Sequence, residues 1–384
     1  MPSDNVRGSN QAGVPGPKRI LFVSNSIVNP NAGTEGQLLQ LLRYLPRDRY
    51  IPELLVFKSS QFTNSEEIPC PVHVLGSSSL FRLATWFRFL RFIRRKRREG
   101  VRLAHMYFHD ASIIGPPIFY LYGIRSIISR RDMGYWYTPF YLKILRITGR
   151  YVNSVVVNSQ AVKHITSIKE RIDKNCIRVI YNGYEDISSS ISGAVKNSIF
   201  DESKGPIAFL VANNRPLKRI GDALQATKRV LDSGRPMQLV IVGAGDNSNL
   251  EILAVQLGIE DHVHFLGARS DVKELLRVGY VGLLCSESEG YSNSIVEYMQ
   301  AALPVIASDT GGNQEAVIDG ETGWRYPVGD VGALADCLQR VLDDPEQASL
   351  FGIKGRDLAV QRHSLENMIF QHLQLYDTLL GELV

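Results

Sequence analysis

The sequence predicts an α/β protein made of two doubly wound domains. Short β-branched runs alternate with longer helical patterns, and this alternation stops near residue 186 and restarts near residue 206. A length of 384 residues suits two or three domains. With 44% hydrophobic and 21% charged residues, a disordered or fibrous chain is excluded.

The elements follow in order. Residues 1–17 are rich in Gly, Pro, Ser and Asn and read as a tail with no secretory signal. Arg19 to Ser24 reads as a strand, Gly36 to Tyr44 as a helix with Leu38, Leu39, Leu41 and Leu42 on its apolar side, and Glu53 to Phe57 as the next strand. From Leu80 to Arg98, helical spacing gathers Leu83, Trp86, Phe89, Leu90 and Ile93 on one side and Arg88, Arg91, Arg94, Arg95 and Arg98 on the other. Such a helix either covers a sheet with its arginines solvated or meets an anionic membrane surface. The most apolar window, Ala111 to Ile124, contains Pro116-Pro117 and is too short to span a bilayer. Ile124 to Ile128, Ser154 to Asn158 and Ile177 to Ile180 complete the first set of strands. Residues 186–205 read as the linker. Ile207 to Val211, Gln238 to Val242, His262 to Leu266, Tyr280 to Leu284 and Pro304 to Ala307 form the second set. The expected domains are 18–185 and 206–364, with a helix from about 365 to 384 returning to the first.

Charge divides with the domains. Residues 1–190 carry 27 Lys and Arg against 13 Asp and Glu, and the remainder carries 16 against 26, so the halves face different partners. No nucleic-acid motif accompanies the basic half, and nucleic acid is not an expected partner. Cys70, Cys176, Cys285 and Cys337 are too scattered for a metal knuckle and too few for a disulfide scaffold, which suits a reducing, cytoplasmic compartment.

The most informative stretch runs from Ser286 to Met299. Glu289 falls in the turn after a strand, at the carboxyl end where such sheets bind ligands. Gly290 allows close backbone approach or an unusual dihedral, and Glu297 lies one turn into the following helix. Two plainer roles stand beside these: Glu289 as a solvated loop acid, and Ser294-x-x-Glu297 as a capping box.

With Glu289-x7-Glu297, Thr310-Gly-Gly-Asn-Gln-Glu315, Val240-Ile-Val-Gly-Ala-Gly245, Val179-Ile-Tyr-Asn-Gly183 and Ala32-Gly-Thr-Glu-Gly36 in series, the chain resembles the family 4 retaining glycosyltransferases, which have the GT-B fold of two Rossmann-like domains. The resemblance covers nearly everything after residue 18. It implies a nucleoside-diphosphate sugar as donor, held mainly by the second domain, and a polysaccharide or lipid-linked glycan as acceptor, held by the first. Lys218 and Arg215 would face the diphosphate, where developing negative charge needs fixed cations. Lys218 matches the family lysine. The usual arginine position is Asn213 here, and Arg215 lies two residues on. Glu297 would bind the ribose hydroxyls, since a carboxylate accepts two hydrogen bonds from a vicinal diol. Glu289 would contact the transferred sugar. The backbone at Gly290, Tyr291 and Ser292, together with Gly33 and Gly243, would approach sugar and phosphates. Arg131 occupies a position where many members have a histidine. Tyr135, Trp136 and Tyr137 either stack on sugars or pack internally, and His105 and His109 lie near the preceding strand's end.

No Asp-x-Asp pair occurs, so no metal and no cofactor are expected. Two other readings remain open: a non-catalytic scaffold or regulatory protein that keeps the fold, and a sugar-nucleotide epimerase. If the basic helix does meet lipid, the protein is peripheral on the inner face of the cytoplasmic membrane.

Overall fold

The structure is a computed structural model that describes residues 16–28, 33–65, 67–76, 83–185 and 200–381. Ala32, most of the tail, the start of the basic segment and residues 186–199 of the linker lie outside these.

The first sheet has seven strands, all parallel: β1 (Lys18–Ser24), β2 (Tyr50–Val56), β3 (Val72–Val74), β4 (Leu103–Met106), β5 (Arg125–Arg130), β6 (Ser154–Val157) and β7 (Ile177–Val179). Their spatial order is β3-β2-β1-β4-β5-β6-β7. The second has six: β8 (Ile207–Val211), β9 (Gln238–Val242), β10 (Val263–Phe265), β11 (Val281–Leu284), β12 (Val305–Ser308) and β13 (Gly323–Tyr326). They are ordered β10-β9-β8-β11-β12-β13 and are again parallel. Each sheet reverses its direction of growth once, between β1 and β4 and between β8 and β11. Those are the points where doubly wound sheets open a crevice at their carboxyl ends.

Helices α1 (Gly33–Tyr44), α2 (Leu83–Arg98), α3 (His109–Leu121), α4 (Pro139–Thr148) and α5 (Gln160–Glu170) cover the first sheet. The second domain carries α6 (Ile220–Asp232), α7 (Ser248–Leu257), α8 (Val272–Leu275), α9 (Asn293–Gln300), α10 (Asn313–Ala316), α11 (Val331–Asp343) and α12 (Pro345–His363). Apolar side chains fill both faces of each sheet, because parallel strands are buried on both sides.

The last helix, α13 (Leu365–Leu380), packs on the first sheet. Tyr376 is fully buried there and its hydroxyl meets His105 Nδ1 at 2.8 Å, while Asp377 binds Arg49 at 2.7 Å and the Tyr50 hydroxyl. The chain therefore crosses between domains twice, and Tyr184 and Ser364 pair where the crossings run side by side.

The α2 wheel needs one correction. Phe89 and Ile93 are buried as expected, but Leu83 is 77% exposed, and Thr85 and Lys96 are buried instead. Lys96 turns inward because Glu53, buried on β2, pairs with its ammonium group. That leaves Leu83 and Phe87 on the same outward face as Arg88, Arg91, Arg94, Arg95 and Arg98.

A candidate active site between the two sheets

The second-domain wall is built from the loops after β8, β9 and β11. Gly243 has a positive φ, and a Cβ there would lie 2.0 Å from the Ala212 carbonyl oxygen, so only glycine permits this turn. Asn213 holds the turn: its Oδ1 accepts from the Ala244 amide at 2.9 Å. The residue in the expected arginine position thus shapes the loop. Arg215 is exposed, and among the described residues its guanidinium has no carboxylate partner.

Lys218 closes a single 3₁₀ turn (Pro216–Lys218), and its Nζ pairs with Glu289 Oε1. The Ser286 hydroxyl donates to the same oxygen at 2.6 Å. The Glu289 backbone is braced from behind. Its carbonyl accepts from the Gly312 amide at 3.0 Å, and a Cβ on Gly311 would come within 2.0 Å of that carbonyl. The Thr310-Gly-Gly run is therefore a backing plate for the Glu289 loop, and Glu289 is a paired cleft carboxylate rather than a solvated loop acid.

The capping box does not form. Helix α9 starts at Asn293, with Ser292 as its N-cap residue, and Ser294 lies inside the helix. The Ser292 side chain makes no capping bond; its Oγ lies 2.9 Å from Ser294 Oγ. Glu297 is too deep in the helix to cap it. It is half-buried, and desolvation pushes its carboxyl up to about 7, against the pull of Lys273.

The first-domain wall meets this one closely. A Cβ on Gly290 would lie 2.3 Å from the Arg131 carbonyl oxygen, and a Cβ on Gly33, the first residue of α1, would lie 2.8 Å from Asn293 Nδ2. These two glycines let the domains touch. Arg131, just past β5, donates through Nη1 to Asn182 Oδ1, and Asn182 Nδ2 donates to Asn293 Oδ1 at 2.8 Å. That relay joins the domains. Beneath it, buried His363 donates from Nδ1 to the Asn182 carbonyl (3.1 Å) and accepts at Nε2 from the Tyr291 hydroxyl (2.8 Å). Burial lowers its pKa to about 4, so the ring is neutral in this arrangement. Tyr291 is buried, which leaves only its backbone for a ligand.

His105 and His109 take different places. His105 lies within β4, fully buried between Tyr376 and Ser129, which its Nε2 meets at 2.9 Å, so it does not reach the cleft. His109 stacks on Trp136 at 5.1 Å. The Trp136 indole donates to Asp132 at 3.0 Å and the Tyr137 hydroxyl donates to Glu170, so the polar groups of both rings are held within the first domain. Tyr135 is exposed.

One residue carried no assigned role in the sequence. Glu315, on the short α10, accepts from the amides of Gln160 (3.1 Å) and Ala161 (3.2 Å), the first two residues of α5, and from the Tyr181 hydroxyl (2.8 Å). A carboxylate of the second domain thus occupies a helix N-terminus of the first, where the amides and helix dipole favour it. The only trace in the sequence is its place in Thr310-Gly-Gly-Asn-Gln-Glu315. Among the described residues no three His, Cys, Asp or Glu side chains converge as metal ligands.

Two family models divide the chain between them: Glycosyltransferase Family 4 over residues 32–186, and Glycosyl transferases group 1 over residues 194–358. The chain belongs to glycosyltransferase family 4. Among curated relatives of this family 4 chain, N-acetyl-alpha-D-glucosaminyl L-malate synthase of Bacillus anthracis is 31% identical over 171 residues, covering 44% of this chain and 45% of that protein. Phosphatidyl-myo-inositol mannosyltransferase of Mycobacterium leprae is 29% identical over 192 residues, covering 49% and 50%. The chain spans about half the length of the curated relatives it matches. Among solved structures, Anabaena HepE in complex with UDP superposes with a TM-score of 0.82 at 21% identity, over 94% of this chain and all of that one. WaaG, a glycosyltransferase involved in lipopolysaccharide biosynthesis, superposes at 0.72 and 15% identity, over 93% and 99%. The shared architecture is the GT-B fold.

Proposed function

We propose that this protein is a retaining glycosyltransferase that binds a nucleoside-diphosphate sugar against its second domain and transfers the sugar to a polysaccharide or lipid-linked glycan. The observation that carries the reading is the Lys218–Glu289 ion pair at the carboxyl end of the second sheet, where that sheet reverses. A paired carboxylate and ammonium suit the two halves of the donor. Glu289 accepts hydrogen bonds from sugar hydroxyls, and Lys218, with exposed Arg215 nearby, stabilises charge as the diphosphate leaves. Glu297 takes the ribose hydroxyls. The backbone at Gly243 and from Gly290 to Ser292 approaches the donor, Gly33 brings the first amides of α1 to it, and Arg131 faces the reacting sugar from the acceptor side.

This division of charge supplies the diphosphate's counter-ions from side chains and helix amides, so the proposal includes no metal. A retaining transfer by this route needs no side-chain base if the departing diphosphate takes the acceptor's proton. Support comes from the fold: HepE, which shares it, has been solved with UDP-glucose. We extend the reading to an anionic membrane surface as partner, met through the basic face of α2, with the enzyme peripheral on the inner face of a cytoplasmic membrane. No helix among the described residues is long and apolar enough to cross one.

The test is incubation with a panel of radiolabelled nucleotide sugars, scoring hydrolysis or transfer. One donor should be consumed, and Lys218→Ala should slow its consumption about 10²–10³-fold while the far-UV spectrum and melting temperature stay unchanged. Nucleotide binding without turnover of any donor would favour the scaffold reading. Epimerisation of a donor would favour the epimerase.

A further inference from the structure

Away from the cleft, a groove of about 880 Å³ lies along the free edge of the first sheet, between α5 and α13. Strand β7 is the last of its sheet and, among the described residues, pairs only with β6, so there its outer backbone edge is open toward the groove. Its polar lining comes from three directions: Gln160 and Lys163 on α5, Arg178 on β7, and Gln371, Gln374 and Thr378 on α13. On α13 the spacing of three and then four residues puts those side chains on one helical face. Ile177 and Leu375 are buried between the polar rows and form an apolar floor.

The chemistry of this lining is selective. It holds amides, a hydroxyl and two cations, and no lining residue is acidic. Among the described residues neither Lys163 nor Arg178 has a carboxylate partner. Amides and edge-strand backbone groups match vicinal hydroxyls, since each offers both donors and acceptors. An apolar floor suits the carbon face of a pyranose ring. Two cations with no acid beside them in the lining complement an anion, and a guanidinium matches a carboxylate in a planar pair. The groove is also long: from Gln371 to Gly381 the helix advances about 15 Å at its usual rise, enough for several linked rings.

We infer that this groove binds an acidic oligosaccharide, a glycan chain carrying carboxylate groups, at a site separate from the donor cleft. The inference rests on the glycosyl-transfer reading for the choice of a sugar as ligand. One end of the groove meets the seam between the domains. Gln160 stands at the start of α5, where Glu315 of the second domain is bound, and the strand beneath runs on to Asn182 in the domain-joining relay. A growing acidic chain seated here would keep its body on the enzyme while its end enters the cleft.

The test uses labelled trigalacturonate and measures binding by fluorescence anisotropy, with UDP affinity measured separately by calorimetry. Lys163→Glu combined with Arg178→Glu should lower trigalacturonate affinity at least tenfold. Gln371→Ala with Gln374→Ala, two surface changes on a helix, should lower it several-fold. Both variants should bind UDP like the parent. Unchanged trigalacturonate binding in both variants overturns the inference. So does polyglutamate of matching charge competing as well as the sugar, which would make this a general anion surface, and so does a neutral dextran binding equally well. None of these outcomes depends on UDP binding or turnover, so failure here is distinguishable from failure of the transferase reading.

Discussion

Glu297 shows how position sets the chemistry of a side chain. In the sequence it has two readings, and the helix start decides between them: α9 begins at Asn293, so Glu297 is too deep to cap. Burial instead raises its carboxyl to about 7 from an ordinary value of 4.5. Because the folded protein holds that proton more tightly than the unfolded chain, the sign of the linkage is fixed. Below about pH 4.5 both states are protonated. As pH rises from there through 7 the unfolded chain ionises first, and stability falls across that window. Glu297→Gln should flatten this part of the stability curve, as read by denaturant titration at pH 5, 6, 7 and 8. Nucleoside diphosphate binding should move the other way. The ionised carboxylate is the better partner for two ribose hydroxyls, so parental affinity should gain on that of Glu297→Gln as pH passes 7. Calorimetry of both proteins at pH 6 and 8 checks this, and an affinity ratio that does not move with pH removes the ribose role. Glu289 and Gly290 were legible as candidates because they sit in a turn after a strand, and Lys218 because it matches the family pattern. Asn182, Asn293 and Glu315 were not, since their partners on the other domain lie 111 to 181 residues away.

Among the elements, the strands of both sheets were readable from their unbroken apolar runs, which is how a strand buried on both faces presents itself. The exceptions are instructive. Strand β3 is three residues long and sits at a sheet edge, β4 has four residues with His105 among them, and β13 contains Trp324 and Arg325 after a glycine turn, so none of them shows a run. Helix α3 was hidden by Pro116 and Pro117, yet it continues through them. Helix α2 was readable in period but not in orientation, because a buried Glu53 draws in Lys96 and leaves Leu83 and Phe87 outside. The outward face therefore combines five arginines with two large apolar side chains, a composition that suits an anionic interface. Each arginine near such a surface contributes about 1 kcal/mol, lost as salt screens it. Changing Arg88, Arg91 and Arg95 to Glu should release the protein from vesicles containing anionic lipid, and raising the salt should release the parent. Activity on a soluble acceptor mimic should survive, since none of the three lies in the cleft. Equal pelleting of parent and variant returns α2 to a sheet-covering helix with solvated arginines.

The two domains were legible from the break in alternation, and the opposite charges of the two halves were legible from counting. How the domains hold each other was not, because the contacts join loops distant in sequence. The contacts that do it include backbone approach at Gly290 and Gly33, the Arg131–Asn182–Asn293 relay, the His363 bond to the Asn182 carbonyl, and the Glu315 carboxylate seated on the N-terminus of α5. Glu315 is the one whose removal leaves the fold of each domain intact. It sits on a four-residue helix and makes its side-chain bonds outside its own sheet. Within α5, Ser159 still caps the Val162 amide at 2.9 Å, so the helix keeps its start. Replacing Glu315 by Ala loses three hydrogen bonds to a charged acceptor and returns the Gln160 and Ala161 amides to water. The cost to the closed arrangement is about 1–2 kcal/mol, the range for loss of a helix-terminal oxygen ligand. That loss should populate a more open arrangement of the domains. Distance distributions between spin labels at Lys58 and Glu251, exposed in the two domains, should broaden toward longer values in Glu315→Ala. Glu315→Gln, which keeps an acceptor for one amide but no charge, should lie between. Saturating nucleotide should draw both variants back toward the parental distribution if the ligand bridges the walls at Gly33 and Glu289. A parental distance distribution in Glu315→Ala would mean that the remaining contacts hold the cleft closed on their own.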